Sequence, residues 1–183
     1  LDSVVRQNKF SVSLIDGVTG SGKTEVYFEV IAEVLKKGFQ VLILVPEIAL
    51  ARPFIERFSR RFGAAPVEWH SELPAKKRRR IWRAILDGNV NVLVVARYAL
   101  FLPFPNLGLL VVDEEHESAF KQMEGSRYHA RDMSILRAKC SDIPIILASA
   151  TPSLETLHNS ETGRFRTVSL SQRYGDATLP KVE

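Results

Sequence analysis

Gly17-Val18-Thr19-Gly20-Ser21-Gly22-Lys23-Thr24 is the stretch of this chain that decides its fold. It fits the pattern G-x-x-x-x-G-K-[ST] and directly follows an apolar run, Phe10–Ile15. An amphipathic segment comes next, in which Val26, Val30 and Val34 recur every four residues. A strand, a glycine-rich loop and a helix in this order are the context in which such a loop binds phosphate. The sequence therefore predicts a nucleotide site on residues 17–24.

Two side chains of this loop have separate expected roles. Its backbone N–H groups and the following helix N-terminus attract the phosphates of a nucleoside triphosphate. We expect Lys23 to reach the β- and γ-phosphates and Thr24 to hold Mg²⁺. The alternative is a Gly/Ser-rich turn that happens to carry a lysine, and the flanking strand and helix disfavour it.

A second apolar run, Leu109–Val112, has the character of a strand buried in a parallel sheet. It leads into a box that reads Asp113-Glu114-Glu115-His116. A carboxylate at the end of such a strand lies where open α/β sheets bind ligands. We expect Asp113 to bind Mg²⁺ through water and Glu114 to orient or deprotonate the attacking water. For Glu115 and Glu117, capping of the next helix is a reasonable alternative.

The third motif is Ser149-Ala150-Thr151-Pro152, which directly follows the apolar run Ile143–Ala148. Two hydroxyl groups at a strand end suit a hydrogen-bond relay between the nucleotide site and another surface. The same residues also make a good helix start, with Thr151 as the N-cap and Pro152 in the first helical position. The sequence leaves both roles open.

The composition fits one globular domain. The chain has 183 residues, of which 45% are hydrophobic, and no apolar run approaches the roughly 20 residues that span a bilayer. It opens without an initiator Met or a signal peptide, and we expect it to be an excised fragment. Its single cysteine, Cys140, excludes an internal disulfide and a cysteine-cluster zinc site.

The net charge of +4 permits contact with nucleic acid and is unevenly distributed. Residues 76–80 read Lys-Lys-Arg-Arg-Arg, and Arg83 follows on the same predicted helix. A second group contains Arg57, Arg60 and Arg61. The alternative for the run at 76–83 is a solvated helix face.

Apolar strand-like runs alternate with amphipathic segments along the chain. The expected strands are 11–16, 40–45, 90–95, 107–112 and 143–148, with two short extra ones near 67–69 and 166–170. The expected helices are 23–37, 48–62, 75–87, 131–139 and 153–159. This alternation predicts an α/β fold with a mostly parallel sheet and helices on both faces. The less patterned tail, 171–183, is expected to begin a linker.

Taken together, the three motifs resemble the first RecA-like motor lobe of superfamily 2 helicases, a P-loop NTPase domain. Several stretches resemble one family within it, primosomal protein N′ (PriA), the bacterial replication-restart helicases. These stretches are Gly17–Tyr27, Val45–Leu50, Arg97–Phe104, Lys121-Gln122 and Arg127–Asp132. The resemblance covers nearly the whole chain.

The resemblance implies that residues 1–170 form an ATP-binding lobe and that Glu114 is its catalytic carboxylate, with Lys23 beside it. It also implies a set of residues that couple hydrolysis to DNA movement, namely Glu115, His116, Ser149 and Thr151. A further set is implied to contact DNA, namely Pro46, Glu47, Arg97, Phe120, Arg127, Tyr128 and Arg131. In this set, Phe120 and Tyr128 would stack on bases, while the two arginines of the 120–132 loop would bind phosphates.

The family further implies a cytoplasmic bacterial enzyme that uses ATP and Mg²⁺, translocates 3′ to 5′ on single-stranded DNA and reloads the replisome at stalled forks in the nucleoid. Its implied partners are single-stranded and forked DNA, single-stranded DNA-binding protein, other primosome proteins and a second helicase lobe. The family's zinc-binding cysteines have no counterpart here, and no membrane contact is expected. We expect the fragment alone to be weak or inactive. Two alternatives remain: a DEAH-type RNA helicase lobe, and a nucleotide- or DNA-binding module without turnover.

Overall fold

A seven-stranded parallel sheet forms the centre of the molecule. The computed structural model describes residues 9–47, 52–123 and 126–173. In chain order, the strands of the sheet are β1 (Ser11–Gly17), β2 (Gln40–Leu44), β3 (Val67–Trp69), β4 (Val92–Val95), β5 (Leu107–Asp113), β8 (Pro144–Ser149) and β9 (Arg166–Leu170). They lie side by side in the order β3-β4-β2-β5-β8-β1-β9. Among the described residues, each neighbouring pair is parallel.

Within the described ranges, five α-helices connect and cover these strands. They are α1 (Lys23–Lys36), α2 (Arg52–Phe62), α3 (Ala75–Leu86), α4 (Ala130–Cys140) and α5 (Leu154–Glu161). Two 3₁₀ helices, Arg97–Phe101 and Ser118–Phe120, flank β5. A small antiparallel hairpin of β6 (Lys121–Gln122) and β7 (Tyr128–His129) precedes α4. No helix within the described ranges has the length and apolar character that a bilayer crossing requires.

The alternation of side chains along each strand divides the core into two layers. Leu42 and Leu44 of β2 point to one face, where they join Ile81 and Ile85 of α3. Ile43, from the same strand, points to the other face and packs with α1 and α2. Because helices cover both faces, the central strands are apolar at nearly every position. The predicted α/β fold with helices on both faces is confirmed.

Element boundaries agree with the sequence prediction to within a few residues, and both short extra strands are present. The main correction concerns the third motif. Helix α5 begins at Leu154, and its N-cap is Ser153, whose Oγ accepts a hydrogen bond from the Thr156 amide. Thr151 and Pro152 therefore lie before the helix, and Thr151 is not its cap. The predicted helix 48–62 is observed from Arg52, since residues 48–51 lie outside the described ranges.

The order of the strands brings the three motifs together. β5, β8 and β1 are neighbours, and all run in one direction. In the register of the sheet, Asp16 is paired with Ser149 and Asp113 with Ala148. The carboxyl ends of parallel strands meet at one edge, which is where α/β sheets form their binding crevice. The glycine loop, the acidic box and the Ser-Ala-Thr segment therefore share one edge.

At the opposite end of the sheet, the side chain of Gln40 joins three strands. It is buried, with Nε2 donating to the carbonyl of Val90 at 2.8 Å and Oε1 accepting from the amide of Asn106 at 3.1 Å. These bonds fix the starts of β4 and β5 against β2. A buried polar side chain with its partners satisfied specifies one arrangement of the loops around it.

We predict that Gln40→Met lowers the free energy of unfolding by about 1–3 kcal/mol, because two buried backbone groups lose their partner. Urea denaturation followed by circular dichroism measures this change. Gln172→Met, on an exposed glutamine, is the matched control and should change stability by less than about 0.5 kcal/mol. Equal stabilities of the two variants would contradict the assigned role of Gln40.

Candidate nucleotide-binding site

Two glycines give the loop between β1 and α1 its shape. Gly20 and Gly22 have φ angles of +80° and +88°, and a Cβ added at either would meet no atom within 4 Å. The left-handed backbone favours glycine here. Nearby, the Ser21 hydroxyl is buried and has no hydrogen-bond partner among the described residues. The open space at this turn and the unpaired hydroxyl beside it fit a ligand that carries hydrogen-bond acceptor atoms.

Lys23 begins α1 with its side chain folded back over the loop. It is 8% exposed, and its Nζ donates to the carbonyl of Gly17 at 2.7 Å. The lysine thus holds the loop closed while keeping its charge at the helix N-terminus, where a phosphate would be attracted. Its charge also lowers the pKa of Asp113 across the crevice, although other influences on that group are larger.

Asp113 ends β5, and its two carboxylate oxygens accept different hydrogen bonds. Oδ2 accepts from the hydroxyl of Tyr27 at 3.0 Å, and Oδ1 accepts from the amide of Glu114 at 3.2 Å. Burial and the neighbouring charge of Glu114 raise the pKa of Asp113 to about 6. A carboxylate that resists ionisation in this way is stabilised by a bound cation, because the cation supplies the missing opposite charge.

The chain reverses sharply at Glu114, which has a φ of +48°. This left-handed conformation is uncommon for a residue other than glycine and persists only where its surroundings enforce it. The next amide, that of Glu115, donates to the carbonyl of Ala148 on β8 at 3.0 Å and anchors the turn. The Glu114 side chain stays 40% exposed and lines a cleft of about 280 Å³ with Asp113, Pro46 and Glu47.

His116 and the Ser-Ala-Thr segment form a direct hydrogen-bond chain. The Nδ1 atom of His116 lies 2.7 Å from Ser149 Oγ, and that hydroxyl also accepts from the Thr151 amide at 3.0 Å. Nδ1 is also 3.6 Å from a carboxylate oxygen of Glu114. Three residues predicted to couple the site to another surface are thus in contact with one another and beside the expected catalytic carboxylate.

Glu115, predicted as a coupling residue with helix capping as the alternative, points away from the crevice into the protein. It is fully buried, and its Oε1 accepts from the amide of Ser153, the N-cap of α5, at 2.8 Å. Its Oε2 accepts from Thr156 Oγ1 and from Arg131 Nη1. Helix capping therefore does occur, but at α5 rather than at the helix that follows Glu115 in sequence.

Among the residues predicted to contact DNA, one group lies in the cleft next to Glu114 and another lies at the β6–β7 hairpin. Pro46 and Glu47 line the cleft next to Glu114, and Arg127 is exposed. Tyr128 is half-buried and packs edge-to-face on the exposed ring of Phe101, with centroids 5.8 Å apart. The side chain of Arg97 lies outside the part of the chain that the structure describes.

Two members of the predicted DNA-contacting set require correction. Phe120 is fully buried in the core layer that includes Leu110 and Val112, so its ring has no free face for a base. Arg131 is 6% exposed, and its guanidinium group is paired with Glu115 and Asp132. Burial and ion pairing leave neither side chain available for DNA in this conformation.

Sequence reasoning missed three residues that position the site: Tyr27, Ser153 and Thr156. Tyr27 lies one helical turn after Lys23, which places it on the face of α1 that reaches Asp113, and this spacing was a usable signal. The partnership of Ser153 and Thr156 with Glu115 spans 38 and 41 residues, and no local pattern indicates it. Only the neighbouring positions of β5 and β8 bring these residues together.

We predict that Tyr27→Phe raises the pKa of Asp113 further, because the hydrogen bond that favours its ionised form is lost. A carboxylate ligand must be deprotonated to bind a metal. Mg²⁺-dependent nucleotide affinity is therefore complete above the pKa and lost as the pH falls through it. In the variant, this loss should begin at a higher pH than the value of about 6 expected for the parent.

The measurement is nucleotide affinity at fixed Mg²⁺ over a series of pH values that spans this pKa. Tyr128→Phe is the matched control, since Tyr128 lies on the β6–β7 hairpin and is not among the groups that shift the pKa of Asp113. An identical pH midpoint in Tyr27→Phe and the parent would show that the tyrosine does not tune Asp113.

Comparison with known proteins places these features in a family. A family model described as "DEAD/DEAH box helicase" matches residues 4–160. Replication restart protein PriA of Rickettsia conorii is 50% identical over 171 residues, which cover 93% of this chain and 26% of that protein. The protein of that name from Bacillus subtilis is 43% identical over 175 residues, covering 96% and 22% of the two chains. The chain thus spans about a quarter of the length of the curated relatives it matches.

Solved structures share this fold. The Hef helicase domain of Pyrococcus furiosus superposes with a TM-score of 0.65 at 22% identity, over 93% of this chain and 37% of that one. RecG bound to a three-way DNA junction gives a TM-score of 0.61 at 20% identity, over 92% and 21%. At these identities the likeness shows the fold alone. The predicted resemblance to the RecA-like lobe of PriA proteins is confirmed by the curated relatives. With its phosphate loop and acidic box at one sheet edge, the chain belongs to the DEAD/DEAH box helicase family.

Proposed function

We propose that this chain is the ATP-binding motor lobe of a DNA helicase that translocates 3′ to 5′ on single-stranded DNA and reloads the replisome at stalled forks. The observation that carries the proposal is the grouping of Lys23, Asp113 and Glu114 at one edge of the sheet, in a chain whose relatives are named replication restart proteins. Direction of movement and fork reloading rest on the resemblance to that family.

The loop of residues 17–24 has what a triphosphate requires. Its backbone turns around open space, Lys23 supplies a cation, and Ser21 has a free hydroxyl. Thr24 and Asp113 are the residues that would hold Mg²⁺, which neutralises charge developing on the phosphates. Since Tyr27 and the Glu114 amide already hold Asp113 in place, its carboxylate needs little reorganisation to meet a cation.

Glu114 is the residue we assign to the attacking water. Its carboxylate is partly exposed to the cleft, whereas Glu115 is sealed inside and Asp113 is held by two hydrogen bonds. Of the three acidic groups, Glu114 alone combines a solvent path with freedom to accept a proton. His116 lies 3.6 Å away and also contacts Ser149. A displacement of Glu114 or of Ser149 would therefore change the position of the other residue.

The same cleft offers a path for a nucleic acid strand. Pro46 and Glu47 line it. The exposed Arg127 and the Tyr128–Phe101 pair are not among its lining residues, and we include them in the path of the strand on the basis of the family resemblance. Aromatic rings for base stacking and cations for phosphates are the usual components of a single-strand track. We include Arg97 in this track on the basis of the family resemblance.

Catalysis by such a motor uses two lobes, with an arginine from the second completing the site. We therefore propose residues 1–170 as the first lobe and residues 171–183 as the start of the connection to the second, with the isolated chain weak or inactive as an ATPase. In the whole protein we propose single-stranded DNA-binding protein and primosome proteins as partners, and a cytoplasmic location at replication forks.

We predict that in the complete protein Glu114→Gln retains ATP binding and loses DNA-stimulated hydrolysis by about 10²–10⁴-fold, because the water loses its base. Lys23→Ala, in contrast, should abolish binding, since the γ-phosphate loses its main cation. Nucleotide titration and phosphate release separate the two effects. Glu161→Gln, on an exposed glutamate of α5, is the control and should hydrolyse normally. Normal turnover in Glu114→Gln would contradict the assignment.

The basic helix α3 is a second feature that fits contact with DNA. Its six cations, Lys76, Lys77, Arg78, Arg79, Arg80 and Arg83, are exposed, and among the described residues none lies within ion-pair distance of a carboxylate. Four of them border an open cleft of about 470 Å³. The other arginine group differs, since Arg57 and Arg61 pair with Glu25 and Glu29 of α1.

We predict that replacing Arg79, Arg80 and Arg83 together with Ala weakens DNA binding by the complete protein and reduces its dependence on salt. For each phosphate that the variant no longer neutralises, the slope of log affinity against log salt becomes shallower by about 0.7–0.9. The control variant replaces Lys36, Arg57 and Arg61, which removes the same charge from residues with carboxylate partners. Equal slopes in the two variants would identify α3 as a solvated face.

A further inference from the structure

The buried carboxylate of Glu115 is the shared acceptor of hydrogen bonds from two helices. From the start of α5 it receives the Ser153 amide at 2.8 Å, the Ser153 hydroxyl at 3.1 Å and the Thr156 hydroxyl at 3.0 Å. From the start of α4 it receives Arg131 Nη1 at 3.1 Å. Glu115 is 0% exposed, so its carboxylate oxygens take their hydrogen bonds from these partners rather than from bulk water.

Arg131 is the one cation in this network. Its side chain is 7% exposed, and its Nε donates to Asp132 at 2.8 Å, while Nη1 reaches both Glu115 and the Ser153 hydroxyl. A third carboxylate, that of Glu155, lies 3.9 Å away. One guanidinium group therefore ties together the acidic box, the cap of α5 and the first turn of α4.

The position of Arg131 in the chain connects this network to the β6–β7 hairpin. It lies two residues after the end of β7, so it follows the β6–β7 hairpin in the chain. At the other side of the ion pair, Glu115 is bonded directly to Glu114, whose backbone is held at a φ of +48°. Besides the backbone of residues 115–120, which leads directly into β6, a route from the end of the hairpin to Glu114 runs through the side-chain contact between Arg131 and Glu115.

We propose that Arg131 is a positioning residue that sets the placement of Glu114 according to the placement of the β6–β7 hairpin, and that it does not touch DNA. The proposal rests on the function proposed above. Removing one partner of a buried ion pair leaves the other charge uncompensated, so Glu115 and its turn must move. A displacement of about 1 Å at a catalytic group is enough to reduce its rate severely, without altering what binds elsewhere.

This role differs in its kinetics from a DNA contact. A side chain that binds DNA phosphate changes the DNA concentration needed for half-maximal stimulation of ATP hydrolysis. A side chain that positions Glu114 changes the maximal stimulated rate and leaves that concentration alone. A residue needed only for stability lowers the melting temperature and leaves both quantities unchanged for the folded protein.

The test compares Arg131→Ala with Arg127→Ala in the complete protein, measuring ATP hydrolysis against single-stranded DNA concentration. For Arg131→Ala we expect the maximal rate to fall about tenfold or more, with half-maximal DNA concentration and the KM for ATP changed less than about twofold. Arg127→Ala, on the exposed arginine of the same hairpin, should show the reverse. Arg131→Lys keeps a charge next to Glu115 and should recover part of the rate.

Thr156→Val provides a second route if Arg131→Ala does not fold, because it removes one donor to Glu115 from a buried residue of α5. It should lower the maximal rate in the same way. An increased half-maximal DNA concentration with a normal maximal rate in Arg131→Ala would overturn the proposal, as would normal kinetics in Thr156→Val. If DNA fails to stimulate the unmodified protein, the proposed function falls first, and this inference falls with it.

Discussion

The parallel pairing of β5, β8 and β1 is the constraint on which the rest of this structure depends. The backbone hydrogen bonds between these strands set Asp113 against Ala148 and Asp16 against Ser149. They therefore determine that the phosphate loop, the acidic box and the Ser-Ala-Thr segment occupy one edge. The side chains packed in the apolar layers on both faces help to hold these strands in place, because a shift would break their close-packed contacts.

At that edge, the protein carries groups that are unfavourable in isolation and useful together. Asp113 resists ionisation, Glu114 has a left-handed backbone, and the hydroxyl of Ser21 is buried without a partner among the described residues. Each feature costs stability, and in the function we propose each would be relieved or used on binding of a nucleotide and a cation. The rigid sheet and the Glu115 network beneath the turn compensate for this loss of stability. Functional sites commonly depend on such supporting residues.

The sequence predicted the fold well because buried parallel strands are apolar runs and their connecting helices are amphipathic. It did not predict the β6–β7 hairpin, since strands of two residues have no periodicity to detect. Phe120 and Arg131 were misassigned because a motif shows which residues are present but not whether they face solvent. The buried partners of Glu115 were missed for a different reason: only the folded sheet brings position 115 next to positions 153 and 156.

The central claim is that this lobe belongs to a motor driven by DNA. The most direct measurement is ATP hydrolysis by the complete protein in the presence of forked DNA, compared with RNA of matched length. We expect strong stimulation by the forked DNA and little by the RNA. Equal or greater stimulation by RNA would contradict it, leaving the nucleotide site intact but assigning the lobe to an RNA helicase.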